Sequence, residues 1–242
     1  MPPLRPYDAG LSYSYAPGVF PSLELMQRAP ERALRLLVSS RAQGEGVEKL
    51  RELCRARDVR EEIADKALNR ISGKQNCYAA VVFEKWQSEL NPAAPHVALH
   101  HPMDEGNLGT IQRTLLGLGI LDIAIIKPAA DAFDPKVVRA TMGALFSLRV
   151  KQYDTFEAYR AEYPHHTLYP FMLDGSVALE EAVRRRREPF SLVFGNEGSG
   201  LPPEFAQWGR AVRIPHSDRI DSLNLAIAVG IGAYSFMRAG PD

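Results

Sequence analysis

Two observations predict an α/β fold with a parallel sheet for this sequence. From about residue 96 onward, short apolar runs typical of strands alternate with segments that have helical periodicity. The apolar runs, such as HVALHH and LDIAIIKP, are nearly continuous, which is the pattern of strands buried on both faces. The larger, carboxy-terminal part of the chain is therefore predicted to be a parallel sheet covered by helices on both sides.

Each predicted element rests on its own residues. Before residue 90, ALRLLVSS and NCYAAVVFE are apolar enough for buried strands, and GVEKLRELCRARDV places Val47, Leu50, Leu53 and Cys54 on one helical face. After residue 96 the predicted strands are HVALHH, LDIAIIKP, HTLYPFMLDG, PFSLVFG and RAVRIPH. The predicted helices between them are NLGTIQRTLLGLG, DPKVVRATMGALFSL, SVALEEAVRRRR and SLNLAIAVGIGAYSFMR.

The same pattern predicts the domain organisation. Residues 1–21 are rich in Pro, Tyr and Gly and are predicted to form an extended arm. Residues 22–90 are predicted to be a small α/β domain, and residues 91–95 a linker, because SELNPAAP carries two prolines. Residues 96–242 form the predicted larger domain.

Composition limits the possible partners and locations. The 29 basic and 29 acidic residues balance, so an anionic partner has to be held by a local basic patch. The two cysteines, Cys54 and Cys77, are too few for a disulfide framework and predict a reducing, cytoplasmic environment. No signal pattern is visible, and the longest apolar stretch, 223–237, contains Asn224 and is too short to span a bilayer, so no membrane association is expected.

The segment LVFGNEGSGL, residues 192–201, looks at first like a phosphate-binding loop. It lacks the Gly-Lys-Ser/Thr ending of such loops, and its GxxGxG spacing reverses the dinucleotide fingerprint. A phosphate cradle needs backbone N–H donors and no negative charge, yet Glu197 lies inside this loop and Pro202 and Pro203 follow it. A polyphosphate site is therefore not expected. A tight glycine turn would explain the glycines but not Asn196 and Glu197.

Two further stretches are candidates for chemistry, and each also has a structural explanation. In NLGTIQRT, residues 107–114, Asn107 is a reasonable helix N-cap, and a lone arginine at the position of Arg113 is more often a surface or ion-pair residue. In the stretch from Arg213 to Tyr234, Ser222 can cap the last helix, with Asn224 in its first turn. No compact set of His and Cys ligands is present, and no metal is expected.

Taken together and in this order, the three stretches resemble the motifs of the SpoU/TrmH-type branch of the SPOUT RNA methyltransferases. The family patterns Asn-x-Gly-x-Ile-x-Arg-Thr, Gly-Asn-Glu-Gly-x-Gly and Ile-Pro-Met…Ser-Leu-Asn-x-x-x-Ala match NLGTIQRT, FGNEGSGL and IPHSDRIDSLNLAIA. The resemblance covers about residues 96–238. Residues 22–90 resemble, more weakly, a ribosomal-protein-like substrate-binding domain, which would bind RNA.

The resemblance implies a deep trefoil knot in the carboxy-terminal domain and a homodimer formed through that domain. It also implies S-adenosylmethionine as cofactor, held by backbone groups of Gly195, Ile214 and Leu223. The implied reaction is methyl transfer to a ribose 2′-hydroxyl, with Arg113 as the matching catalytic residue. Further catalytic residues implied by the motifs are Asn107, Glu197, Ser222 and Asn224, with Glu197 expected to pair with Arg113.

Arginine remains protonated at neutral pH, so Arg113 is expected to bind and polarise the hydroxyl or a neighbouring phosphate. Two residues depart from the family pattern, His216 in place of methionine and Thr141 in place of serine. RNA contacts are expected from arginines 184–187 or from Arg51, Arg55, Arg57 and Arg60, although a solvated helix face explains either run equally well.

The favoured substrate is ribosomal RNA. A tRNA 2′-O-methyltransferase and a non-catalytic RNA-binding protein with the same fold are the alternatives. A nucleotide-dependent oxidoreductase is a third, which NAD(P) binding would reveal.

Overall fold

The computed structural model describes residues 4–72, 77–174 and 177–238, and its contacts divide the chain into two compact units. Unit 1 contains residues up to Gln87 together with Asp131–Ser147, and unit 2 contains Ser88–Ala130 and the chain from Leu148. The segment 131–147 therefore packs with the first unit, although it lies within the residues predicted for the larger domain. The domain boundaries themselves stay a prediction.

Unit 1 is a four-stranded sheet with helices. Its elements are β1 (Tyr13–Pro17), α1 (Val19–Arg28), β2 (Ala33–Val38), α2 (Glu45–Arg55), β3 (Glu61–Ile63), α3 (Asp65–Ser72), β4 (Ala79–Glu84) and, from the later segment, α5 (Pro135–Ala140). The strand order is β1-β4-β2-β3, and only β2 and β3 run parallel. Residues 13–17, within the predicted arm, are thus a strand paired with β4.

The core of unit 1 follows the apolar patterns of its elements. Val47, Leu50 and Cys54 of α2 are buried as the helical periodicity predicts, whereas Leu53 is only half-buried. The helix predicted over DPKVVRATMGALFSL is interrupted, because Met142 and Gly143 take positive φ values of 51° and 86° after α5. A Cβ at residue 143 would lie 2.4 Å from Glu24 Cβ, so glycine is required there.

Unit 2 is the predicted parallel α/β domain. Its elements are β5 (His96–His100), α4 (Glu105–Leu118), β6 (Asp122–Ile126), β7 (Arg149–Tyr153), α6 (Phe156–Glu162), β8 (Thr167–Pro170), β9 (Val177–Ala178), α7 (Leu179–Arg184), β10 (Phe190–Phe194), α8 (Phe205–Trp208), β11 (Val212–Arg213) and α9 (Leu225–Arg238). The main sheet has the order β7-β6-β5-β10-β8 with every pair parallel, and β9 pairs with β11 separately. The predicted fold class is therefore confirmed, and the knot stays a prediction.

The strand order places the candidate site. β5 and β10 are neighbours, although about ninety residues separate them in the chain. Their carboxyl ends lead into α4 and into the glycine-rich loop, so the first two motifs meet at one edge of the sheet. Within the described ranges, no helix is long and apolar enough to cross a membrane.

Candidate active site

The glycine-rich loop folds back on itself directly after β10. Asn196 N donates to Gly200 O at 3.2 Å, and Gly200 N donates to Asn196 O at 3.0 Å. A Cβ on residue 195 would lie 2.1 Å from Gly200 C, so the loop can close only with glycine at that position. The missing side chain at Gly195 therefore allows the backbone of the loop at Gly200 to pack directly against residue 195.

Asn196, which a glycine turn alone does not explain and for which the motifs implied no role, holds the loop in shape. Its Oδ1 accepts hydrogen bonds from Gly198 N at 2.9 Å and Ser199 N at 3.1 Å. Its Nδ2 donates to His101 O at 2.8 Å, which ties the loop to the end of β5. Asparagine before a glycine turn commonly bonds the backbone two residues on, and this local signal could have identified the role.

Glu197 is bound by the amino-terminal end of α4. Its carboxylate accepts hydrogen bonds from Met103 N and Asp104 N, both at 3.1 Å, and from Asn107 Nδ2 at 3.4 Å. Partial burial raises the pKa of Glu197, but these donors outweigh that effect and hold the pKa below its usual value. The carboxylate is therefore charged and fixed in place at neutral pH.

Asn107 and Asn224 extend this network to the last helix. Asn224 Nδ2 donates to Asn107 Oδ1 at 3.0 Å. Asn224 Oδ1 also accepts from Ala226 N at 2.9 Å and Ile227 N at 3.3 Å, which caps α9. Side chains from all three motifs, Glu197, Asn107 and Asn224, thus form one hydrogen-bonded chain.

Two expected helix caps are wrong. The N-cap of α4 is Asp104, whose carboxylate accepts from Asn107 N at 2.6 Å, so Asn107 lies inside the first turn. α9 begins at Leu225 and is capped by Asn224 rather than by Ser222. Because Asp104 caps α4, the side chain of Asn107 bonds both Asn224 and Glu197.

A cavity of about 360 Å³ adjoins the loop in unit 2. Its wall includes five of the residues predicted from the motifs, namely Gly195, Glu197, Ile214, Ser222 and Leu223. Apolar side chains complete much of the wall: Phe171, Phe194, Leu201, Val212 and Leu225. Its size lies at the lower end of the range for small-molecule sites, and its apolar wall with a few polar groups is typical of them.

Arg113 stands apart from this cavity. It is exposed on α4 and is not among the residues that line the cavity. The expected ion pair with Glu197 is wrong: within the part of the chain that the structure describes, Arg113 has no carboxylate partner, and Glu197 is bound to the start of α4 instead. Arg113 therefore presents a free guanidinium to the surface.

The two departures from the motif pattern lie in different units. His216 lines the cavity, and its Nδ1 lies 2.9 Å from Ile214 O. Thr141 belongs to unit 1, where its hydroxyl donates to Val138 O at 2.7 Å. Among the described residues, no group of three or more His, Cys, Asp or Glu side chains is arranged to hold a metal ion.

A parallel α/β sheet with a ligand-sized cavity at the carboxyl ends of its strands defines a small-molecule-binding α/β domain. Residues 94–234 match the SpoU rRNA Methylase family, and the chain belongs to that family. The resemblance stated from the three motifs is thereby confirmed.

Several named proteins are similar to this chain. It is 26% identical to a 23S rRNA (guanosine-2′-O-)-methyltransferase of Acinetobacter baylyi, over 93% of this chain and 96% of that protein. It is 32% identical to an uncharacterized tRNA/rRNA methyltransferase of Synechocystis, over 63% of this chain and 56% of that protein. The chain thus spans little more than half of the Synechocystis protein.

Two solved structures of similar fold superpose on this chain. An AdoMet-bound rRNA methyltransferase from Sinorhizobium meliloti superposes with a TM-score of 0.80 at 29% identity, covering 94% of this chain and 87% of that chain. A protein described in connection with 2-OH methylation of C/U34 on tRNA superposes with a TM-score of 0.56 at 30% identity, covering 62% of this chain and 97% of that chain.

Proposed function

We propose that this protein methylates a ribose 2′-hydroxyl of RNA with S-adenosylmethionine as the methyl donor. The observation that carries the proposal is the convergence of the motifs. Gly195, Ile214 and Leu223 line one cavity, and Glu197, also on its wall, is linked through Asn107 to Asn224. Family membership and the AdoMet-bound relative support the same cofactor.

The residues of the cavity fit such a cofactor. A nucleoside needs apolar walls for its base and backbone groups for its polar edge, and both kinds of group line this cavity. Gly195, Ile214 and Leu223 would supply the backbone groups. When bound, S-adenosylmethionine supplies a methyl group on a positively charged sulfonium, so the protein has mainly to bring an oxygen nucleophile into line with that methyl.

Arg113 is the group proposed to act on the RNA. Its guanidinium is exposed and carries no carboxylate partner among the described residues, so it is free to bind a phosphate or the 2′-hydroxyl. Since arginine remains protonated, Arg113 positions and polarises the hydroxyl and does not accept its proton. Asn107, Asn224 and Glu197 form the rigid polar support beside the cavity, and Ser222 lies on its wall.

A homodimer through the carboxy-terminal unit is part of the proposal. Ile227 and Tyr234 on α9 are 56% and 51% exposed, and with Ile231 they follow helical spacing on one face. α9 packs against α4, where a Cβ on Gly230 would lie 3.6 Å from Thr114 Cγ2. A second copy bound to this apolar face would lie close to the helix that carries Arg113.

RNA is the proposed partner, and ribosomal RNA is favoured over tRNA. In unit 1, the exposed Arg55, Arg57 and Arg60 have no carboxylate partner among the described residues, whereas Arg51 is bound to Glu48 and Glu61. In unit 2, Arg184 and Arg187 are exposed, while Arg185 pairs with Glu181 and Arg186 with Glu188. The exposed arginines without a carboxylate partner would contact phosphates in the cytoplasm, and their contribution would weaken as salt is added.

The proposal is tested by replacing Arg113 and following transfer and cofactor binding separately. We expect Arg113→Ala to lower methyl transfer to bulk RNA by about 1,000-fold, since a group acting on the reacting hydroxyl is lost. The affinity for S-adenosylmethionine, measured by isothermal titration, should change less than about threefold because Arg113 lies outside the cavity. Arg28→Ala, at an exposed arginine of α1, is the control for a lost surface charge.

Tritiated methyl transfer with rRNA and tRNA as separate substrates then identifies the RNA. Full turnover by Arg113→Ala would overturn the role of Arg113. Binding of RNA without cofactor binding or transfer in the unaltered protein would favour the non-catalytic alternative. Nuclease digestion followed by detection of 2′-O-methyl nucleosides establishes the position of the methyl group on the ribose.

A further inference from the structure

We infer that a second cavity of unit 2 binds a guanine base of the RNA strand, outside the nucleotide that is methylated. This assignment rests on the proposed function, which supplies RNA as the partner. The cavity has a volume of about 430 Å³ and lies among α6, α8 and the start of β8. It shares no wall residue with the cofactor cavity, so a base bound here belongs to another nucleotide of the same RNA.

Helix α6 supplies one wall of this second cavity. Glu157, Arg160 and Ala161 line the cavity, and the spacing of three and four residues from Glu157 places them on one face of the helix. The other face carries Phe156 and Tyr159, which are buried in the apolar cluster over the sheet. The backbone that presents Glu157 and Arg160 is therefore held in place by the core.

Trp208, at the end of α8, supplies an aromatic wall. A Cβ on the next residue, Gly209, would lie 2.4 Å from Leu168 O, so glycine allows the chain to pack against β8. The Trp208 ring is stacked on Phe156 at a centroid distance of 5.7 Å, and Arg160 Cζ lies 4.7 Å from its centroid. Trp208 and Arg160 are both partly exposed and form a stacked pair at the cavity.

Two polar side chains of the wall are already fully engaged. His166 Nδ1 lies 2.9 Å from Ser191 Oγ, and its Nε2 lies 2.9 Å from Pro92 O. Tyr163 OH donates to Glu162 Oε1 at 2.7 Å. Both rings are buried, so they contribute aromatic surface to the cavity and no free hydrogen-bonding group.

The other polar groups of the wall are open to a ligand. Glu157 is exposed, and over the described ranges of the chain neither Glu157 nor Arg160 has an ion-pair partner. The indole N–H of Trp208 likewise has no acceptor among those residues. The cavity thus combines a carboxylate that accepts hydrogen bonds, two kinds of N–H donor and a flat stacked surface.

This combination fits a nucleobase taken out of its stack. Proteins bind unstacked RNA bases on aromatic rings or arginine planes and read them through hydrogen bonds to their edges. A carboxylate accepts two parallel hydrogen bonds, and among the four RNA bases guanine presents two donors on neighbouring atoms, N1–H and the 2-amino group. Glu157 would bind that edge, while Arg160 and Trp208 provide the stacking surface.

The test uses Trp208 as its own reporter. The chain has two tryptophans, and Trp86→Phe removes the one in unit 1, so fluorine NMR of fluorotryptophan in this variant reports on Trp208 alone. We titrate a short single-stranded RNA with one guanine among uridines, the same RNA with inosine in place of guanosine, and free GMP. The guanine RNA should bind about tenfold more tightly than the inosine RNA, which lacks the 2-amino group.

Glu157→Gln in the same background should reduce this preference to less than about twofold, because an amide cannot accept both hydrogen bonds. Glu204→Gln is the matched control, since Glu204 is exposed beside α8 and is not part of the cavity wall. A tenfold preference retained by Glu157→Gln, or a Trp208 resonance that the guanine RNA leaves unchanged, would overturn the inference. Binding of GMP without binding of the RNA would also overturn it and would assign the cavity to a free nucleotide. None of these measurements needs methyl transfer, so a failure of the proposed function would show separately, as absent transfer by the unaltered protein.

Discussion

The two ends of the five-stranded sheet of unit 2 carry polar clusters that differ in burial and in how completely their groups are bonded. At the carboxyl ends of β5 and β10, Glu197, Asn107 and Asn224 form a hydrogen-bonded chain beside a cavity. These side chains are partly or largely exposed, and the free Arg113 lies on the helix that begins there.

The amino ends of the same strands carry a closed cluster. His96 Nδ1 lies 3.0 Å from Tyr159 OH, Tyr159 OH lies 2.5 Å from Ser191 Oγ, and His166 Nδ1 lies 2.9 Å from the same Oγ. The outer ring nitrogens of His96 and His166 bond the carbonyls of Asn91 and Pro92. All four side chains are buried.

The difference teaches which polar groups of this sheet are available for chemistry. At the amino end every ring nitrogen and hydroxyl of that cluster is bonded and shielded from ligands, so the cluster contributes to stability. At the carboxyl end the groups are a carboxylate and two side-chain amides beside a cavity, and backbone N–H donors hold Glu197 and Asn224 there. Substitutions at the two ends should therefore separate stability from cofactor binding.

The largest effect is expected from Arg149, whose guanidinium binds the fully buried carboxylate of Asp122 at 2.6 and 2.5 Å. Arg149→Met leaves that buried carboxylate without its cationic partner and with the Asn91 N–H as its remaining donor, and we expect the free energy of unfolding to fall by about 3 to 5 kcal/mol. Urea denaturation measures the change. The Kd for S-adenosylmethionine of the folded protein should be unaltered, and a parallel loss of affinity would contradict the separation of the two ends.

The second effect is a dependence of stability on pH through His96. Burial lowers the pKa of His96 from about 6.5 to about 4. The unfolded chain thus takes up a proton near pH 6.5, whereas the folded protein does so only near pH 4. The stabilisation that comes from the lowered pKa of His96 is complete above about pH 6.5 and is lost as pH falls toward 4. The total change in the free energy of unfolding from this group is about 3 kcal/mol.

Denaturation midpoints at about pH 7 and about pH 4.5 test this dependence. His96→Gln should make it less steep, because one titrating histidine is removed while His100 and His166, whose pKa burial also lowers, remain. His165→Gln at an exposed position should leave it unchanged. An equal slope in the His96→Gln variant would show that other groups cause the loss of stability.

The third effect belongs to the carboxyl end. In Gly195→Ala the new Cβ would lie 2.1 Å from Gly200 C, so the loop cannot keep its closed form. We expect the affinity for S-adenosylmethionine to fall by about 100-fold in isothermal titration, with a smaller change in far-ultraviolet circular dichroism. Gly117→Ala is the control, since Gly117 lies on α4 outside the cavity wall and a Cβ there would meet no atom within 4 Å.

The smallest effect is expected from Asn224, which caps α9 and bonds Asn107. Asn224→Ala removes both interactions and should cost about 1 kcal/mol of stability. Asn224→Ser keeps a capping oxygen but is too short to retain the bond to Asn107. Methyl transfer should be lowered similarly in both variants. Thermal denaturation should show a loss of stability mainly in Asn224→Ala. If the serine variant transfers methyl groups as well as the unaltered protein, the Asn224–Asn107 bond has no supporting role.

Sequence patterns predicted β5, β6, β8 and β10 well, because continuous apolar runs leave few alternatives to burial on both faces. They missed β7 and α6, whose residues RVKQY and FEAYRAE mix charged and aromatic side chains without a clear period. They also missed α8, and they predicted a helix over SVALEEAVRRRR where Val177–Ala178 form β9. They also predicted a continuous helix where Met142 and Gly143 interrupt it. There the packing of Glu24 against residue 143 outweighs the local helical pattern.

The sequence by itself determined the fold class, the family and the three motifs, because apolar periodicity and motif spacing are local properties of the chain. Only the tertiary structure decided that Glu197 binds the start of α4 rather than Arg113, and that Asn224 bonds Asn107 across 117 residues of chain. Partner choice at such distances depends on which strand ends become neighbours. That follows from the sheet order, which no local pattern encodes.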